Sequence, residues 1–139
     1  MRRSRVVYWL TVYQWLAGLC DVATGLLLVF TPGLCLSLMG VRQGPQPLEY
    51  AGFIGVFVLS VGLAYLYAAV EPLTAATAAH WQTVWWLTAW SRSLVAAFLT
   101  WKILAGGLEA AWVTVALTDG ALAAFQWTGL RAGWLGPEE

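Results

Sequence analysis

Three of the few charged residues in this chain, Asp21, Arg92 and Asp119, each sit near the middle of a long apolar run. The runs cover residues 7–30, 83–104 and 110–130, and a fourth, residues 50–70, carries no charge. At a rise of about 1.5 Å per residue, each is long enough as a helix to cross the roughly 30 Å of hydrocarbon in a bilayer. A charge at the centre of such a helix costs about 2.5–3.5 kcal/mol on insertion scales unless something offsets it. Two carboxylates and one guanidinium at similar depth offset one another. The pattern predicts an all-α fold, a single four-transmembrane-helix bundle over residues 1–139 with a polar knot at mid-depth.

Composition agrees. Hydrophobic residues make up 60% of the chain and charged residues only 10%, against about 25% in a soluble domain. Seven basic and seven acidic residues leave no net charge, which excludes the basic footprint of a nucleic-acid binder. Met1-Arg2-Arg3-Ser4-Arg5 ahead of an apolar run is leader-like, and residues 16–20, Leu-Ala-Gly-Leu-Cys, approach a lipoprotein processing site. Leu19 is too large for that site, and the run continues past Asp21 to Phe30, so a retained first helix is expected.

An even number of spans puts both termini on one side. That side holds Arg2, Arg3, Arg5 and Arg131, the other Arg42 and Lys102, so both termini are expected in the cytoplasm. The first connection, residues 31–49, is then external. It opens with Pro32-Gly33, carries an apolar stretch over 34–39 and closes with Gly44-Pro45-Gln46-Pro47. Its middle is predicted to lie along the interface as a short helix. Residues 71–82 form an internal loop, and Ala105-Gly106-Gly107 a tight external turn that makes helices three and four antiparallel neighbours. Ser60, Ala64 and Ala68 on the second helix, and Ala116, Gly120 and Ala124 on the fourth, are the small residues expected at helix contacts.

Helical spacing extends the knot. Gln14, Asp21, Thr24 and Gly25 share one face of the first helix, and Asp119 and Gln126 one face of the fourth. Arg92 has Thr88 one turn earlier, and Ser60 is the central polar residue of the second helix, with Tyr67 two turns on. Two roles fit Asp21, Arg92 and Asp119: a buried bridge that fixes helix register, or a proton, ion or substrate site.

Cysteine and histidine mainly exclude. Cys20 and Cys35 form no Cys-x-x-Cys, which argues against a thiol oxidoreductase. A lone His80 cannot supply a bis-imidazole haem or a His-rich metal centre. No metal site, catalytic residue or cofactor is predicted. Of the ten tryptophans, Trp9, Trp81, Trp85, Trp127 and Trp134 fall near the inner boundary, and Trp101 and Trp112 near the outer one, as aromatic belts do. Trp15, Trp86 and Trp90 lie deeper. Trp86 and Trp90, with His80 and Trp81 in the internal loop, are the candidates for contact with lipid, quinone, pigment or a partner helix.

Residues 52–69, Gly-Phe-Ile-Gly-Val-Phe-Val-Leu-Ser-Val-Gly-Leu-Ala-Tyr-Leu-Tyr-Ala-Ala, are followed by Glu71-Pro72. Together with Trp90-Ser91-Arg92, Ala-Leu-Thr-Asp-Gly over 116–120 and the early Asp21 with Gly25, they make the chain resemble small DoxX-like four-helix bacterial membrane proteins. The resemblance implies that fold and a bacterial inner membrane, and some DoxX relatives are subunits of respiratory or redox assemblies. The function expected is an accessory subunit of a larger redox or energy-converting membrane complex, with lipids and other integral subunits as partners. The alternative is a small transporter or proton-handling protein using Asp21, Arg92 and Asp119.

Overall fold

The computed structural model describes residues 2–136, with side chains from Ser4 onward. The side chains of Arg2 and Arg3, part of the basic cluster expected in the cytoplasm, lie outside the described residues. Among the described residues the chain is all-helical, with no strand. It runs α1 (Arg2–Phe30), α2 (Pro32–Leu38), α3 (Glu49–Val70), α4 (Ala78–Leu104), a 3-10 turn (Ala110–Trp112) and α5 (Val113–Arg131). Two of these helices, α1 over Ser4–Phe30 and α3, are long and apolar enough to cross a membrane. In the most apolar stretch of each, 28% is buried.

Three boundaries differ from the sequence reading, the first being α1, which begins at Arg2 rather than residue 7. Helix α4 begins at Ala78 rather than residue 83, which makes His80, Trp81 and Gln82 helical instead of loop. A local knot starts it early: Thr77 Oγ1 accepts from the Thr74 amide at 2.9 Å and donates to the Pro72 carbonyl at 2.6 Å. The alanine-rich stretch after it is a strong helix former. At the last helix, residues 110–112 wind as a 3-10 turn and α5 proper starts at Val113.

The helices pack as two pairs. Helices α1 and α3 are antiparallel and in close contact because four glycines face one another. A Cβ on Gly25 would stand 2.6 Å from the Leu59 amide nitrogen, and one on Gly62 2.6 Å from that of Val22. A Cβ on Gly55 would stand 2.9 Å from the Gly25 carbonyl oxygen, and one on Gly18 2.7 Å from the Leu66 side chain. Packing in place of a hydrophobic drive favours such close approach in lipid. Of the expected stripe, Ala68 is buried in the basal core and Ala64 packs against it, whereas Ser60 is exposed. In the other pair, α4 and α5, Ala116 is buried and Gly120 half-buried, but Ala124 faces outward. Gly106, at φ +71, closes α4 with its amide on the Ile103 carbonyl at 3.0 Å and turns the chain into α5, a conformation glycine adopts without Cβ strain.

The half of the bundle nearer the termini, here the basal half, is filled. Leu10, Ala68, Trp81, Val84, Trp85 and Leu135 form its core. Tyr13 bridges the two pairs, its ring 5.4 Å from Trp85 and 4.7 Å from Phe125. At the distal end α2 folds back onto α1 and α3 through Leu28, Cys35, Leu36, Val41 and Ala51. Glu109 ties this segment to the α4–α5 turn by accepting the amides of Arg42 and Gln43.

Candidate functional site

Asp21, Arg92 and Asp119 meet between the two helix pairs. Asp21 comes from α1, Arg92 from α4 and Asp119 from α5. Arg92 donates through Nη2 to Asp21 Oδ2 and through Nη1 to Asp119 Oδ1. The guanidinium is buried and both acids are mostly so. Its Nε donates to the Tyr65 hydroxyl at 3.2 Å, with the guanidinium carbon 5.5 Å from the Tyr65 ring centre. Tyr65, fully buried on α3, completes a four-helix junction. Its hydroxyl lies 3.4 Å from that of Tyr13. Charge-assisted bonds of this kind are roughly twice as strong as neutral ones, and the one from Arg92 to Asp21 joins α4 to α1 across the two pairs.

The supporting residues divide. Gln14 does not reach Asp21. It donates to the Tyr65 carbonyl at 3.1 Å and accepts from Trp85 Nε1 at 2.8 Å, fastening α1, α3 and α4 one layer below. Thr88 and Gln126 bond each other at 2.7 Å, fully inside the α4–α5 seam. Thr24 lies beside Asp21 and faces the cavity described below. Ser60 belongs to no cluster: it is exposed and its hydroxyl donates to the Val56 carbonyl of its own helix.

Tyr65 is the residue that the sequence reading missed, with Tyr67 named in its place. Tyr67 points outward, 68% exposed. The signal was present in the glycines. Gly55, Gly62 and Tyr65 follow one helical face in steps of seven and three, and that face is the one turned inward.

The aromatic candidates also divide. Trp86 and Trp90 are exposed, 52% and 46%, and stack edge to face along α4 with Trp127 beyond. Trp81 is fully buried, as is Trp85. The expectation of a boundary or ligand contact at Trp81 is therefore corrected, since its indole N–H donates to the Glu71 carbonyl at 3.2 Å inside the basal core. His80 is exposed on the first turn of α4, its Nδ1 3.2 Å from Glu71 Oε2. Cys35 is buried in α2, and that burial pushes its thiol pKa up.

Above the triad the bundle opens into a cavity of about 720 Å³ between the pairs. Asp21, Arg92 and Asp119 form one end of it, and Leu36 and Met39 close the other. Its walls are apolar, among them Val58 and Val61 of α3, Val95 and Leu99 of α4, and Val115 of α5. Phe53, Phe57 and Phe98 stand at its rim, each more than half exposed. Drug-sized ligands occupy cavities of about 300–1,000 Å³ with mostly apolar linings and a few convergent polar groups. Among the described residues no group of three or more His, Cys, Asp or Glu is placed to hold a metal ion. Compared with known proteins, the chain matches no family model, no curated protein and no solved structure.

Proposed function

We propose that the chain is a bacterial inner-membrane protein in which α1, α3, α4 and α5 all span the bilayer. In this reading α2 lies along the outer interface and both termini face the cytoplasm, as in the DoxX-like proteins it resembles. Its role is that of an accessory subunit in a redox or energy-converting membrane assembly, and its contribution is to hold a lipid-soluble molecule. The observation that carries this is the distal cavity, apolar along its walls and charged at one end. An ion triad needed only for helix register has no use for a large opening above it. The exposed Trp86 and Trp90 support docking beside other helices, since aromatic anchors suit such contacts.

Native mass spectrometry after extraction in mild detergent tests the reading. The expected result is one or more copurifying membrane subunits and a retained small molecule that Val95→Trp expels by filling the cavity. Proton handling by Asp21, Arg92 and Asp119 is the second reading, favoured by the Arg92–Tyr65–Tyr13 chain running from the cavity into the basal half. A lone, unliganded chain that conducts protons in liposomes, and loses this with Asp21→Asn, would replace the first reading by the second.

A further inference from the structure

The charged end of the cavity is specific about what it can receive. Three of the five N–H donors of Arg92 are already spent, on Asp21, Asp119 and Tyr65. Each carboxylate gives one oxygen to Arg92, which leaves the second oxygen of each outside these bonds. Two of the wall hydroxyls on α5 are spent on backbone carbonyls. Thr118 donates to the Thr114 carbonyl at 2.8 Å, and Thr114 to the Ala111 carbonyl at 3.0 Å. The Trp112 indole N–H, buried without a partner, is an unspent donor of the lining, while at the charged end two acids against one arginine leave an excess of negative charge. Excess charge in a low-dielectric site attracts a counter-charge strongly.

We infer that the cavity binds a lipophilic ammonium, an apolar body of small-drug size bearing one N–H cation that docks against Asp21 and Asp119. An anionic head would be repelled by the excess negative charge, and a neutral acceptor head gains nothing from it. This inference rests on the reading of the cavity as a ligand site. It adds the sign of the ligand's charge.

The test measures occupancy of the full chain by native mass spectrometry with three probes of one tail length: decylamine, decanol and decanoate. Decylamine is expected to bind at least tenfold more tightly than decanol, with decanoate weakest. Asp119→Asn, which leaves a balanced Asp21–Arg92 pair, should remove the preference for the amine while decanol still binds. Val95→Trp should weaken all three probes. Equal binding of decylamine and decanol by the unaltered chain overturns the charge inference and leaves the cavity reading standing. Binding that Val95→Trp does not touch overturns both. Should Asp119→Asn fail to fold, the comparison of amine with alcohol on the unaltered chain decides alone.

Discussion

The basal and distal halves of the bundle are built from the same four long helices, yet one is full and the other hollow. The difference lies in which way the large residues point. In the basal half Tyr13, Tyr65, Trp81 and Trp85 turn inward, and the last three are fully buried. These rings set how far apart the α1–α3 and α4–α5 pairs stand. In the distal half the large residues Phe53, Phe57 and Phe98 turn outward. Val58, Val61, Val95 and Val115 line the space there, with Trp112 also in the lining, and the valines are too short to fill it. The triad marks the boundary between the two halves, so it closes the packed layer on one side and ends the cavity on the other.

Arg92→Leu should disturb this arrangement most. It strands Asp21 and Asp119 as uncompensated carboxylates and unlinks Tyr65, a loss of about 3–5 kcal/mol for breaking a buried pair from its charged partner. Detergent-resistant yield should collapse. Asp21→Asn keeps a one-to-one pair and should lose markedly less, and equal yields for the two variants would remove the triad's role as the joint between pairs.

Gly62→Leu is expected next, near the upper end of the roughly 1–3 kcal/mol typical of overpacking. Even a Cβ there would stand 2.6 Å from backbone, so α1 and α3 must separate. A thermal melt in detergent checks it, and an unchanged melting point would mean that the glycine seam is not tight.

The sharpest contrast between the halves comes from adding volume to each. Ala89, fully buried in the basal half of α4, should cost about 1–3 kcal/mol as Ala89→Leu. Val95→Trp adds more atoms in the distal half yet should cost little, because open space receives them. Similar melting-point losses for both would make the two halves equally packed.

Much of this was legible before any coordinates. Helical runs follow from apolar length, and the triad from the cost of unpaired charge in an apolar helix, because both depend on residues taken one helix at a time. What escaped depended on how helices face one another. The seam between α1 and α3 uses glycines seven apart, Gly18 with Gly25 and Gly55 with Gly62, whereas spacing of small residues by four points to Ser60, which faces outward. Trp81 and Trp85 were assigned to a belt by depth alone, whereas burial depends on rotation about the helix axis. The cavity could not be read at all, since it arises from a mismatch in side-chain length between pairs.

Ser60→Ala is the smallest expected effect. Its hydroxyl bonds only within α3 and faces outward, so stability should stay within about 0.5 kcal/mol. A larger loss in the melt would point to a polar partner on that face.

The most direct measurement is a crystal structure grown from a lipidic mesophase, where the distal half meets lipid as it would in a membrane. The expected map shows α1–α3 and α4–α5 held apart above Arg92, with density in the space between them that reaches Asp21 and Asp119. A map in which the two pairs close on each other, Val58 and Val61 touching Val95 and Val115 with no room between, would contradict a ligand site there and leave the triad as a structural joint alone.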